Sequence, residues 1–143
     1  MHLAAAVRAA FVAVFVVLAP VAGADQHPWP EAPVIQTQLY FGLRTADGEG
    51  VSEQAWTRFL AEIVTPRFPD GLTVLNAYGQ SRRGAPQPDD MLAETTKLLI
   101  IVHPNTAEAQ VAIGEIKAGY SERFRQNGVF HVDFPARIGA LGK

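Results

Sequence analysis

Two histidines, a tyrosine and an aspartate lie in segments whose residue patterns predict β-strands, and these side chains could do acid–base or metal chemistry. His103 ends a continuous apolar segment, His131 and Asp133 alternate with apolar residues near the C-terminus, and Tyr40 lies in an earlier alternating segment. Imidazole titrates near neutral pH and can act as a general base. Two imidazoles and a carboxylate could also ligate a metal ion. The candidate catalytic residues are therefore Tyr40, His103 and His131.

The same residues also have a structural interpretation, which the pattern favours. Two histidines without a fixed spacing are a weak indication of a site. His103 precedes a proline at a strand end, and His131 would be a half-exposed strand residue. We therefore predict neither a metal ion nor a cofactor. Four further residues are candidates for binding a ligand: Gln38, Arg67, Lys97 and Asp133.

Arg67 is a candidate because it lies between Pro66 and Pro69 in a restrained loop. A rigid loop can present a guanidinium group to a carboxylate or a phosphate. The alternative is a structural arginine that binds backbone carbonyls or Asp70.

Composition excludes several classes of function. The chain has 143 residues, no cysteine, 18% charged residues, 48% apolar residues and a formal net charge of −2. The absence of cysteine excludes disulfides, iron–sulfur clusters, thiolate zinc sites and a cysteine nucleophile. The small net charge argues against binding of nucleic acid through overall charge. No Ser–His–Asp order, H-E-x-x-H or G-x-S-x-G motif is present. The length and the apolar content predict one compact domain.

Residues 1–24 predict a signal peptide. The segment begins with a basic stretch without acids, continues with only Ala, Val, Phe and Leu over residues 9–19, and ends at Ala22-Gly23-Ala24. The apolar stretch is short for a membrane-spanning helix. We therefore expect cleavage near Ala24, an exported (periplasmic or secreted) protein and no stable membrane span afterwards. The alternative is an uncleaved N-terminal anchor.

The remaining chain predicts four strands and two helices. Period-2 or continuous apolar patterns predict strands over 35–43, 72–80, 94–103 and 129–134. Apolar residues at helical spacing predict one helix over 52–64, with Ser52 as N-cap. They predict a second helix that begins with Asn105 as N-cap and ends at Asn127-Gly128, where residues tolerate a left-handed conformation. The order βαββαβ predicts an α+β, ferredoxin-like domain over 35–135, with a four-stranded antiparallel sheet and both helices on one face. Residues 25–34 are predicted to form an extended arm, and residues 136–143 a short tail.

The strand patterns predict which residues face the helices and which form the open face of the sheet. The predicted helix-facing residues are Leu39, Phe41, Leu98, Ile100, Val102, Phe130, Val132 and Phe134. The predicted open-face residues are Gln36, Gln38, Tyr40, Lys97, Leu99, Ile101, His103, Val129, His131 and Asp133. We predict that the first strand lies between the third and the fourth, parallel to the third and antiparallel to the fourth. Tyr40, His103 and His131 should therefore meet at one edge of the sheet, with Gln38 and Asp133 nearby.

The predicted open face carries apolar residues that water alone would not cover comfortably. A second copy of the protein is the simplest partner, and it would form a dimeric α+β barrel; a ligand or another partner is the alternative. The favoured function is an exported, non-enzymatic domain that dimerises or binds a partner or ligand through this face. The alternative function is a small cofactor-independent enzyme of the dimeric α+β barrel type with a Tyr/His/His site.

The segments 37–43, 51–56, 64–74 and 77–80 are similar to those of a known family, and TPRFPDGLTV over 65–74 is the most specific of them. The chain resembles, over about residues 35–135, an uncharacterised bacterial family, domain of unknown function 3574. The family pattern has a tryptophan after Gly-Gln, where this chain has Ser81. Members look like exported or lipid-anchored proteins. The resemblance implies export but no established activity.

Overall fold

The computed structural model describes residues 34–45, 47–82 and 91–139. In these ranges the elements are β1 (Val34–Gly42), α1 (Glu53–Phe59), β2 (Thr73–Ser81), β3 (Leu92–Pro104), α2 (Ala107–Phe124) and β4 (Phe130–Ala136). The strand order is β2-β3-β1-β4, and every neighbouring pair is antiparallel. This arrangement confirms the predicted α+β, ferredoxin-like fold. The predicted signal peptide, the arm up to residue 33 and residues 140–143 lie outside the described residues.

Helix α1 begins where the sequence predicts. Ser52 is the N-cap, and its hydroxyl accepts a hydrogen bond from the backbone N–H of Ala55 at 3.2 Å. The helix continues directly into a π-helical segment, Leu60–Val64, so the helical chain ends at the predicted residue but not in a regular α-helix. Trp56 and Phe59 point from α1 into the core.

Helix α2 is capped at other residues than predicted. Thr106, not Asn105, is the N-cap, and its hydroxyl accepts from the backbone N–H of Ala109. Asn105 is still part of the bend that follows β3, where the N–H of Thr106 donates to the carbonyl of Pro104. At the other end the left-handed residue is Arg125, ahead of the predicted Asn127-Gly128. In the described part of the chain, neither helix is long and apolar enough to cross a membrane.

The core lies between the two helices and one face of the sheet. Burial of large apolar side chains supplies most of the driving force for such packing. Four aromatic rings from β1, α1 and α2 form its centre, and the rings of Phe41 and Tyr120 lie 4.7 Å apart. Around this centre pack Leu39, Leu99, Ile101, Val64, Ile113 and Ile116.

The predicted facing of β1 is right, but that of β3 and β4 is wrong. Leu99 and Ile101 were expected on the open face and are buried in the core. Lys97, His103, His131 and Asp133 also lie on the helix-facing side, as the register with β1 requires. The predicted core residues of these strands point outward instead: Leu98, Ile100, Val102, Phe130, Val132 and Phe134. Both faces of β3 carry apolar residues, so periodicity identifies the two faces without showing which is buried.

The predicted strand direction is also wrong for one pair. β1 runs antiparallel to β3, not parallel, because β3 returns from β2 and pairs between β2 and β1. Tyr40 therefore lies opposite Leu98, and His103 lies opposite Ile35 at the other end of β1. The expected meeting of Tyr40 with His103 and His131 at one edge does not occur.

Candidate functional site

A chain of side-chain hydrogen bonds crosses three strands on the helix-facing side of the sheet. Nε2 of His103 on β3 lies 2.8 Å from Oγ1 of Thr37 on β1. That hydroxyl donates to Oδ1 of Asp133 on β4 at 2.5 Å. Nε2 of His131 lies 2.8 Å from the same carboxylate oxygen. The antiparallel register places Thr37 directly opposite Asp133, so the sheet itself positions these groups.

Burial divides this chain into two parts. Thr37 is fully buried and His103 is 2% exposed, so neither side chain meets solvent freely. The side chains of His131 and Asp133 are 21% and 15% exposed, which leaves the pair accessible from the β4 edge. Burial raises the pKa of Asp133, but hydrogen bonds with Thr37 and His131 outweigh it and hold that pKa below its usual value. Asp133 is therefore an ionised acceptor.

Beside His103 lies a cleft of about 260 Å³ between the loop that precedes β2, the end of β3 and the start of α2. Phe68 packs its ring 5.5 Å from the imidazole of His103. Arg67 also lines the cleft, but its Nε donates to Glu115 at 2.8 Å and its Nη1 donates to the carbonyl of Ile63 at 2.6 Å. The arginine thus joins the loop to both helical segments, as in its structural interpretation.

Tyr40 and Gln38 lie on the opposite face of the sheet from the histidines. The hydroxyl of Tyr40 donates to Oε1 of Gln38 at 2.7 Å. A Tyr/His/His site is therefore not assembled within one copy of the chain, because the sheet separates Tyr40 from His103 and His131.

Lys97, a predicted ligand-binding residue of the open face, is instead buried on the helix-facing side. Its ammonium donates to Oε1 of Glu53 at 2.5 Å and to Oδ1 of Asn76 at 2.6 Å. The contact ties the first turn of α1 to β2 and β3. Lys97 thus has a structural position, because a buried charge needs such partners.

The hydrogen-bonded side chains of His103, Thr37, Asp133 and His131, which we call the histidine chain, do not have the form of a metal centre or of a nucleophilic triad. Among the described residues no group of three or more His, Cys, Asp or Glu side chains is placed to hold a metal ion. The hydroxyl between the histidine and the carboxylate belongs to Thr37, which substrate cannot reach. The two imidazoles contact different members of the chain and do not converge on one point.

The open face, as the structure has it, is uncharged over three rows of paired residues. β1 supplies a polar column, and the neighbouring columns on β3 and β4 are apolar. The rows are Val102, Gln36 and Phe134; then Thr73, Ile100, Gln38 and Val132; then Leu75, Leu98, Tyr40 and Phe130. We use the name open face for these residues. Phe130 is 67% exposed, and Leu75, Val102 and Phe134 are also among the exposed large apolar side chains.

Sequence reasoning missed Thr37, the residue that links the chain. A signal was present, because Thr37 is the one polar residue in the inward column Ile35, Thr37, Leu39 and Phe41. A buried hydroxyl usually has a hydrogen-bond partner. The spacing alone does not show which partners it has.

Comparisons with known proteins give a family and a fold. A family model described as "Protein of unknown function (DUF3574)" matches residues 36–139. No curated protein matches the sequence. A solved structure titled "Phage SAM lyase in complex with S-methyl-5'-thioadenosine" is similar, with a TM-score of 0.58 and 12% identity over 73% of this chain and 82% of that chain. At this identity the similarity shows the fold alone.

Proposed function

We propose that this chain, which belongs to the DUF3574 family of proteins of unknown function, is a self-associating domain in which a second copy covers the open face. The observation that carries the proposal is the uncharged, largely apolar open face, with Phe130 67% exposed. Large apolar side chains gathered on one face of a sheet favour a partner over water.

The open face is as large as the apolar surface patches of monomers that often have a function. Three rows across four strands measure roughly 19 Å by 17 Å, which is about 300 Å² in projection. The largest apolar patch on a monomer is on the order of 300–600 Å² and often has a function. Tyr40 and Phe130 pack with their rings 5.5 Å apart and form a continuous aromatic corner of the open face.

Self-complementarity favours a second copy over another protein. An isologous contact brings the same surface together twice, so every group must tolerate its own counterpart. The open face carries no charge to repel its copy, although the chain has a formal net charge of −2. The amides of Gln36 and Gln38 both donate and accept hydrogen bonds, so two copies of this column can pair with each other.

Export is the second part of the proposal. It rests on the basic, apolar and small-residue segments of residues 1–24 and on the absence of cysteine, which frees the domain from oxidative folding. The N-terminal sequence of the protein recovered from a cell-envelope fraction tests it. We expect the mature chain to begin at Asp25. Recovery of an intact N-terminus from the membrane would instead indicate the anchor.

Light scattering after gel filtration tests the self-association. We expect the wild type to have the mass of a dimer and Phe130→Asp that of a monomer, because the substitution places two carboxylates in the contact. Like charges across an interface cost several kcal/mol, so the dissociation constant should rise about 100-fold or more. Val111→Asp is the matched control, since Val111 is 62% exposed on α2, away from the open face. A monomeric wild type, or a dimer that Phe130→Asp leaves unchanged, would contradict the proposal.

A further inference from the structure

The histidine chain contains more hydrogen bonds than its neutral groups can supply with hydrogens. Nδ1 of His103 lies 2.8 Å from the carbonyl oxygen of Pro104, which only accepts, so Nδ1 carries a hydrogen. Thr37 has one hydroxyl hydrogen, and it is directed to Asp133. Nε2 of His103, 2.8 Å from Oγ1 of Thr37, must then carry a hydrogen as well.

The three contacts need one hydrogen more than the neutral groups supply, whichever residue carries it. Three contacts join Pro104, His103, Thr37 and Asp133, whereas a neutral imidazole, a hydroxyl and a carboxylate supply two hydrogens. One more proton completes the set. It can reside on His103 as an imidazolium, or on Asp133 with the hydroxyl of Thr37 turned to His103; the total is the same.

We propose that His103, Thr37 and Asp133 hold one additional proton in common, and that its loss as pH rises breaks one of the three contacts and loosens β4. Without that proton two acceptor atoms would face each other in a buried position, which is unfavourable. The affected contacts connect β3 to β1 and β1 to the edge strand β4. This proton-dependent lock goes beyond the proposed self-association and does not depend on it.

The titratable and charged groups around His103 come from three elements: Asp133 and His131 on β4, Arg67 and Asp70 on the loop before β2, and Glu108 on α2. The charge of Arg67 is balanced by its ion pair with Glu115. The hydrogen bonds that lower the pKa of Asp133 support placing the additional proton on the imidazole side of the chain.

The Asp133→Asn variant tests whether the three residues hold an additional proton or only make structural contacts. The amide of the new side chain can donate to Thr37, the hydroxyl can then donate to Nε2 of His103, and Nδ1 can still donate to Pro104. All three contacts are then made without the additional proton. Glu108→Gln is the matched control, because it removes a carboxylate beside the same cleft that takes no part in the chain.

The measurement is nitrogen-15 NMR of the His103 ring together with carbon-13 NMR of the Asp133 carboxyl group. In the wild type and in Glu108→Gln at neutral pH, we expect both ring nitrogens to have protonated chemical shifts. In Asp133→Asn, we expect Nε2 to move to the unprotonated position. As the pH of the wild type is raised, the amide-exchange protection of β4 should fall over the same pH range in which the His103 ring loses its protonated nitrogen-15 chemical shifts. In Asp133→Asn, the protection of β4 should not fall over that range.

Two results would overturn the proposal. One is a neutral His103 imidazole beside an ionised Asp133 carboxylate in the folded wild type at neutral pH. This result needs only the wild type, so it can be obtained even if the variant fails to fold. The other is an Asp133→Asn protein whose His103 keeps both ring protons, since the proton would then not be shared with Asp133.

Discussion

Thr37 and His103 are 66 residues apart in sequence, yet Oγ1 of Thr37 lies 2.8 Å from Nε2 of His103. The same hydroxyl contacts Asp133, so one buried side chain joins β3, β1 and β4. Thr37→Val keeps the shape and removes the hydroxyl. We expect the free energy of unfolding to fall by about 2–3 kcal/mol, because the buried imidazole of His103 and the partly buried carboxylate of Asp133 each lose a partner. Urea denaturation measures this change.

Thr37→Ser is the control for that variant. It keeps the hydroxyl and removes one buried methyl group, which should cost about 1 kcal/mol. Equal losses of stability in the two variants would mean that packing of the methyl group, and not the hydroxyl, accounts for the effect.

Asp133 should make the fold sensitive to acid. Its pKa is lowered in the folded state, mainly because hydrogen bonds with Thr37 and His131 outweigh the effect of burial. A lowered folded pKa gives stability that is present above the unfolded pKa, about 3.9, and is lost as pH falls through the folded value. Urea midpoints measured between neutral pH and pH 2 should fall more steeply for the wild type than for Asp133→Asn. Parallel curves would contradict this assignment.

Removing Glu53, the partner of the buried Lys97 ammonium, should cost more stability than removing one partner of an exposed ion pair. Glu53→Ala leaves Lys97 with Asn76 as its remaining hydrogen-bond partner among the described residues. We expect a loss of about 1–2 kcal/mol, below that of a fully buried pair, because Glu53 itself is exposed. The control is Glu62→Ala, which removes the exposed pair with Arg123 and should cost less than about 1 kcal/mol. Similar melting temperatures for the two variants would show that burial of Lys97 does not increase the stabilisation by its ion pair with Glu53.

Tyr120 should limit stability at alkaline pH. Burial first, and the charge of Glu94 second, raise its pKa well above the ordinary value, and its hydroxyl donates to the carbonyl of Gly42 at 2.8 Å. A raised folded pKa gives stability that is complete below the unfolded pKa, about 10, and is lost as pH rises toward the folded value. Tyr120→Phe should cost about 1 kcal/mol at neutral pH and show a weaker decline above pH 10. Alkaline denaturation followed by circular dichroism would refute the assignment if the two proteins declined equally.

The sequence predicts the elements and the family better than it predicts the faces of the sheet. The cap at Ser52 and the apolar spacing of Trp56 and Phe59 are local, so helix α1 and the βαββαβ order follow from short-range rules. The resemblance to DUF3574 is confirmed by the family match over 36–139.

Which face of β3 packs against the helices depends on long-range strand pairing, so short-range sequence rules could not predict it. Both faces of β3 are apolar, and the partners that allow Lys97 and His103 to be buried come from distant parts of the chain. Thr37 illustrates the same limit, since its burial was visible in the pattern of β1 but its contacts with His103 and Asp133 required the register of three strands.

Contacts between copies test the central claim most directly. We would mix carbon-13-labelled and unlabelled protein and record isotope-filtered NOEs from the methyl groups of Ile100 and Val132, which lie in the middle row of the open face. We expect NOEs between copies, from these methyl groups to open-face side chains of the unlabelled chain. Their absence in a protein at concentrations where light scattering shows a dimer would contradict the proposal, because a second copy would then not cover the open face.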